Sequence, residues 1–458
     1  MMDKYSDIRF PSSLDLLPSS FRGDAKDEMA ASDPVLLTLP SLTPSLAVEV
    51  VPNGVTFHRI IVQADGRTHD IVIGPEAPKD HLTQKYQGTI IGRYANRIPV
   101  GKHELERNGF KAEFDAQANE NPRVSLHGGP VGFDSLAFQV LSPEETPSLF
   151  SQAELAHLPK SGQGSSFGFF RLESPDGDQG YPGKLLVEAL VALVEPGEQG
   201  RKYSDSPDGA VGQEYDLGSI VYVYRAKVDK GVTAVNLTNH WGFNLDASLK
   251  EGEETLSVKE HTLIMKAKHV AVLDADSLIT GFRDTPREHV HDGKKIGEGH
   301  PDSGYDDYYR FEDKAIGIPR RVPLSSLNAL DILGDVLKPS NGPSASRGSR
   351  PDPVVELASE RSGIKLVFDT NQSGAMFYSN GLADPAKGAR KKIHGGSGIM
   401  NKGDGYPKWG AAFLEFHEPL AAFLDTSNKD KNDTLLTSDE LYHNYVRVDV
   451  RFKEPRRK

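Results

Sequence analysis

Along most of the 458-residue chain, apolar positions come in short runs or alternate with polar ones, the period-two signature of extended strands. Stretches such as VTFHRIIVQ, GTIIGRY, KLLVEALVALVE, IVYVYRAKV, TAVNLTN, HTLIMKAKHVAVLD, GIKLVFDT, AMFYSN, AAFLEF and NYVRVDVRF are rich in Val, Ile, Leu, Phe and Tyr. β-Branched and aromatic side chains of this kind pack well on a pleated surface. Turn formers separate the runs, in PNG, ERNGF, PDGDQGYPG and VDKG. Long amphipathic helices are scarce. The pattern predicts an all-β fold, most simply a large antiparallel β-sandwich of two packed sheets.

Four polar segments rich in Gly, Pro and Ser interrupt the runs, near 143–168, 196–214, 338–353 and 384–407. Strand-like sequence resumes after each. They therefore read as surface insertions or mobile loops of one domain over 45–458, not as linkers between domains. Residues 1–44 are irregular and are expected to be a tail or a strand that wraps the sandwich. No internal repeat of fixed period is present.

Composition narrows the function. With 53 Lys and Arg against 65 Asp and Glu, the net charge of -12 repels phosphate backbones and anionic membrane surfaces, so neither nucleic acid nor membrane is an expected partner. The absence of cysteine excludes disulfides, thiolate metal sites and cysteine nucleophiles. No apolar run reaches the roughly 20 residues of a membrane span, and the N-terminus lacks a signal-peptide core. A soluble, cytoplasmic protein is the expectation.

Five places set polar side chains into apolar or tightly turned sequence. In GTIIGRYANRIPVGKH a strand runs into Asn96 and Arg97. Arg97 brings fixed donors suited to sugar hydroxyls or a carboxylate, and Asn96 both donates and accepts; an ordinary charged loop has the same composition. SLHGGPVGFD places His127 at a strand end before Gly128 and Gly129, which permit positive φ and let a ligand approach the backbone. A half-buried histidine satisfied by backbone is the commoner account of such a stretch. In AVNLTNHWGFNLD, Asn236, Thr238 and His240 share one face of an extended run, and Trp241 and Phe243 offer aromatic surface able to stack on a sugar ring. A core histidine among aromatics is the competing account.

SGYDDYYRF sets Asp306 and Asp307 among aromatics, one expected to face in and the other solvent, or both to lie in a solvated turn. In GAAFLEFHEPL, Phe413, Glu415 and His417 share one strand face. A carboxylate bracketed by apolar residues has a partner or a pKa raised toward neutrality, where a general base works best, unless the strand is an edge with Glu415 in water. Together these residues make either an acid–base site or a His/carboxylate metal site. H-x-x-x-H and H-E-x-x-H spacings are missing, which weighs against metal. Glycine motifs for nucleotide binding are also missing.

The segments, in order over most of 45–453, resemble the aldose 1-epimerases, or galactose mutarotases. GRYANRI is similar to the family's substrate-binding loop, SLHGGPVGFD to its first histidine motif, and GDQGYPGKLLVEALVAL to G-D-E-G-Y-P-G and its strand. NLTNHWGFNL resembles N-L-T-N-H-x-x-F-N-L, GYDDYY resembles G-Y-D-H, and FLEFHEP the E-T-Q segment. The late segments SGIKLVFDTNQSGAMFYSNGL and TSDELYHNYVRVDVRF complete the series. The resemblance implies a large β-sandwich with an open cleft, no cofactor and no metal, acting as a monomer or weak homodimer on a small monosaccharide. It implies Glu415 as the base on the anomeric hydroxyl and His240 as the acid on the ring oxygen. Arg97 and His127 would hold the ring oxygen and neighbouring hydroxyls, with Asn96 assisting and Asp306 binding a hydroxyl on the other side.

Departures from the family pattern are Phe416 and His417 in place of Thr-Gln, Asp307 in place of His, Trp241 in place of Thr, and a missing Pro in SLITG. Trp241 is expected to alter the cleft wall. KIHGGSG, around His394, mimics the first histidine motif inside a basic insertion and reads as a loop. The expected activity is interconversion of α and β anomers of a free aldohexose such as galactose or glucose. Alternatives are action on hexose 6-phosphates and a carbohydrate-binding or regulatory protein without turnover.

Overall fold

A computed structural model describes residues 33–159, 165–197, 214–312, 317–340 and 353–454. Among these residues, two large sheets carry the fold. A ten-stranded sheet is built around the long strands Leu185–Val194, Glu214–Val228 and Glu440–Lys453. A seven-stranded sheet faces it, with Ile279–Asp284, Ala267–Leu273, Asp306–Phe311, Gly374–Tyr378, Ala412–His417, Thr238–Phe243 and Thr89–Ile91 in spatial order. All the ladders within these two sheets are antiparallel. This is the all-β sandwich that the alternating pattern predicts.

The main core lies between the sheets. Tyr222, Tyr224, Phe368, Val446 and Val448 from the larger sheet meet Trp241, Leu414, Phe416, Phe377 and Tyr309 from the smaller, all of them buried. Side chains of this size contribute about 1.5–3 kcal/mol each when fully buried. Strand alternation then leaves the smaller sheet a second face, and that face carries the polar residues.

Three readings of chain organisation need correction. The segment 1–44 is not irregular throughout, because Val35–Thr38 forms a strand paired with Leu46–Val51; residues 1–32 lie outside the described residues. Part of 143–168 is packed, not loose. Ser151 caps the helix Gln152–Leu155, and buried Glu154 pairs with Arg225 at 2.6 Å. Phe167 already begins the strand Phe167–Ser174.

The segment 384–407 is pinned as well. Lys391, fully buried, donates from Nζ to Asp70 Oδ2 at 2.8 Å, to the Val72 carbonyl at 2.9 Å and to the His58 carbonyl at 2.5 Å. His394 donates from Nε2 to the Asp70 carbonyl and accepts at Nδ1 from the Tyr406 hydroxyl, each at 2.7 Å. A polar residue in a polar segment reads as solvated until the fold supplies its partner, which is why composition misplaced Glu154 and Lys391. Most of 196–214 and 338–353 lies outside the described residues.

Candidate active site

The site is set by strand register. Thr238–Phe243 and Ala412–His417 pair antiparallel with Trp241 opposite Leu414 and Gly242 opposite Phe413. One step along the same register places His240 opposite Glu415 on the face away from the core. Their side chains meet, with His240 Nε2 3.1 Å from Glu415 Oε1. Both are nearly closed off from solvent, at 8% and 2% exposure.

The alternation that turns His240 outward turns Trp241 inward. Trp241 is fully buried against Phe57, Tyr222, Phe243 and Phe368, so neither it nor Phe243 forms a wall for a ligand, contrary to expectation. Phe416 likewise faces the core and stacks on Phe368. Of the Phe416–His417 replacement, only His417 reaches the polar face. Its Nδ1 donates to the Glu418 carbonyl at 2.7 Å and its Nε2 is buried without a hydrogen-bond partner.

A wall beside the pair comes from two short strands, Arg97–Pro99 and Val124–Leu126. Asn96 immediately precedes the first strand and His127 immediately follows the second, so they meet at one end of the ladder: the His127 N–H donates to the Asn96 carbonyl at 3.1 Å, and the Asn96 N–H donates to His127 Nδ1 at 3.2 Å. Because Nδ1 accepts, the neutral ring carries its proton on Nε2 and is a donor there. The His127 ring stands edge-on to His240, centroids 5.4 Å apart. Arg97 donates from Nε and Nη2 to the two oxygens of Glu120 at 2.8 and 2.9 Å, which leaves Nη1 unspent. The side-chain amide of Asn96 has no partner among the described residues.

Asp306 opens the strand Asp306–Phe311 on the same polar face and is exposed. Its charge acts on Glu415, as does that of Arg97. Asp307 turns to the other side, 3.7 Å from His289 Nδ1, so the two adjacent carboxylates divide as expected. Thus the structure brings His240, Glu415, His127, Asn96, Arg97 and Asp306 into one neighbourhood.

Sequence reasoning missed several residues. Tyr86 lies against both histidines, 4.8 Å from the His127 ring and 6.1 Å from that of His240. Tyr86, Asn96 and His127 all hold positive φ, at 59°, 66° and 53°, a conformation that side chains other than Gly enter at a cost. Glu120 carried no signal, being one acid in a polar loop. His289 and His291 form an H-x-H pair that was overlooked, but both are hydrogen-bonded to the Tyr309 hydroxyl, at 2.8 and 3.2 Å. Among the described residues no three His, Asp or Glu side chains are grouped to hold a metal. Gly128 serves backbone packing: a Cβ there would strike the Gly92 carbonyl, so its role is not to clear space for a ligand.

Burial sets the electrostatics. Desolvation pushes the Glu415 carboxyl well above its usual range; the Asp306 charge adds to this and Arg97 opposes it. Desolvation lowers the His240 imidazole to about 4, against the pull of the carbonyls of His240 and Tyr86. His127 is lowered further by burial and by nearby His240 and Arg97. Each member of the pair is therefore disfavoured as an isolated charge. Their contact allows one shared proton, held as neutral acid with imidazole or as carboxylate with imidazolium. A proton poised between two such groups suits concerted acid–base chemistry on a bound hydroxyl.

A large β-sandwich with a buried His–Glu pair on one polar face, and hydrogen-bonding side chains beside it, has the groups that acid–base chemistry on a bound hydroxyl requires. A family model described as aldose 1-epimerase matches residues 42–204 and 213–422, and the chain belongs to the aldose 1-epimerase family. Galactose mutarotase of Bos taurus is 30% identical over 238 residues, 52% of this chain and 54% of that protein. Aldose 1-epimerase of Escherichia coli (strain K12) is 29% identical over 212 residues, 46% of each. The matches span about half the length of these curated relatives. Among solved structures, a GalM/aldose epimerase homologue from C. elegans superposes with a TM-score of 0.62 at 18% identity, over 92% of this chain and 99% of the other. A galactose 1-epimerase from Lactobacillus acidophilus NCFM gives 0.57 at 16%, over 91% and 98%. At these identities the two structures speak for the fold.

Proposed function

We propose that the protein is an aldose 1-epimerase interconverting the α and β anomers of a free aldohexose such as galactose or glucose. The observation that carries this reading is the 3.1 Å contact of His240 with Glu415 in a chain of this family. Glu415 as carboxylate takes the proton of the anomeric hydroxyl while His240 as imidazolium protonates the ring oxygen, and the bond between C1 and the ring oxygen breaks. The products are the open aldehyde, a neutral carboxyl and a neutral imidazole. Rotation about C1–C2 and the reverse transfers close either anomer. The pair carries one proton throughout, so opening starts from its charged form and closing from its neutral form. Burial favours the neutral form and mutual attraction favours the charged one.

His127, through Nε2–H, and Arg97, through Nη1, donate to ring-side oxygens; Asn96 assists and Asp306 accepts from a hydroxyl. Polarimetry on freshly dissolved α-glucose and α-galactose tests the assignment. Glu415→Gln and His240→Asn are each expected to slow equilibration by about 10²–10⁴-fold. Wild-type rates in either variant would sink the mechanism.

A further inference from the structure

Two cations border the candidate site, Arg97 and Lys85, and each is paired with a carboxylate. Glu120 occupies the Nε and Nη2 fork of Arg97. Asp134 holds Lys85 Nζ at 3.0 Å, and Asp134 is itself buried and fixed by the Ser135 hydroxyl at 2.9 Å. Lys85 lies 5.4 Å above the Tyr86 ring, and its charge acts on His127. The two arginines carried on this sheet lie elsewhere. Arg310 donates to His269 Nδ1 at 3.0 Å and stacks on Phe282, beyond buried Tyr308. Arg283 is on the core-side register, opposite Val270, which pairs with Tyr309.

The chain on either side of Glu120 is held in place. The preceding Asn119 clamps the backbone before His127, accepting from the Leu126 N–H at 2.6 Å and donating to the Leu126 carbonyl at 2.8 Å. Arg123, three residues on, pairs with Asp276 in the turn after Ala267–Leu273. An anionic ligand therefore meets a guanidinium whose bidentate face is taken by a carboxylate on a held backbone. A hydroxyl needs less, since Nη1 of Arg97 remains available to donate.

We propose that Glu120 and Asp134 are specificity-determining residues which, by occupying Arg97 and Lys85, admit uncharged sugars to the site and turn away sugar phosphates. This rests on the epimerase reading above. The test compares mutarotation of glucose and glucose 6-phosphate by wild type, Glu120→Gln and Asp134→Asn. The wild type should favour glucose by at least about 100-fold in kcat/KM, and Glu120→Gln should narrow that ratio at least tenfold, chiefly through a lower KM for the phosphate. Asp134→Asn should narrow it in the same direction. If burial of Asp134 prevents that variant from folding, the part-exposed Glu120 carries the test alone, with Glu120→Lys expected to narrow the ratio further. A loss of folding would lower both rates and leave their ratio in place. Wild type that treats both sugars alike, or a ratio unmoved in folded Glu120→Gln, overturns the proposal while leaving the epimerase reading intact. Wild type that accelerates neither sugar overturns both.

Discussion

His240 and Glu415 face each other across adjacent antiparallel strands, Nε2 to Oε1 at 3.1 Å, with the sandwich core behind them and the wall of Asn96, Arg97 and His127 beside them. Burial shifts both groups of the pair, and that shift has a stability consequence. A carboxyl whose pKa is higher folded than unfolded loses stability as pH rises from the ordinary carboxylate range through the raised value. Glu415 is such a group.

Replacing Glu415 with Gln removes that cost. At neutral pH the variant should unfold at higher urea concentration than wild type, by about 0.5–2 kcal/mol, even though catalysis is lost. As pH falls below the ordinary carboxylate range, where the wild-type carboxyl is protonated in both states, the gain should disappear. A variant less stable than wild type at pH 7 would show that the carboxylate is a net support of the fold.

The one-proton requirement predicts a plateau in the catalysed rate. A second proton enters the pair as pH falls toward the His240 value of about 4, and the shared proton leaves above the raised Glu415 value. Asp306 helps to raise Glu415, so Asp306→Asn should move the alkaline limb to lower pH, on the order of half a unit. It should also raise KM, since a hydroxyl acceptor is lost. An alkaline limb that moves upward contradicts the electrostatic assignment. Rates corrected for uncatalysed mutarotation across pH 4–9 are the measurement.

The buried Lys391–Asp70 contact predicts a purely structural effect. Lys391→Met leaves Asp70 and two carbonyls without their donor. Losing one partner of a buried pair costs about 3–5 kcal/mol, visible as a lower denaturant midpoint. A shift below about 1 kcal/mol would mean that Arg59, 3.8 Å from Asp70, substitutes for the lost charge.

Much of this was legible in the sequence because strand alternation is a local property. Once Glu415 is placed on the polar face, Phe413 and His417 must share it and Leu414 and Phe416 must enter the core, as they do. The same parity argument applied to His240 assigns Trp241 to the core, and treating Trp241 as wall surface ignored it. What the sequence could not convey was pairing between distant segments. Glu120 looks like any loop acid until Arg97 is brought beside it, and Tyr86 has no motif of its own until His127 folds back against it. Lys391 sits 321 positions from the carboxylate that justifies its burial, and no local pattern encodes a contact over that span.

That spread has a consequence for biosynthesis. The site draws on the chain near 86–127, at 240, at 306 and at 415, so during synthesis the acid–base pair cannot form until Ala412–His417 has left the ribosome. Long-range antiparallel pairing is also slow to form. A growing or truncated chain lacking Ala412–His417 would therefore expose a strand edge along Thr238–Phe243 and Gly374–Tyr378 while carrying no half-working site. On the epimerase reading, activity would accordingly be a readout of completed folding, and the same unfinished edge is where chaperones would be expected to engage the chain.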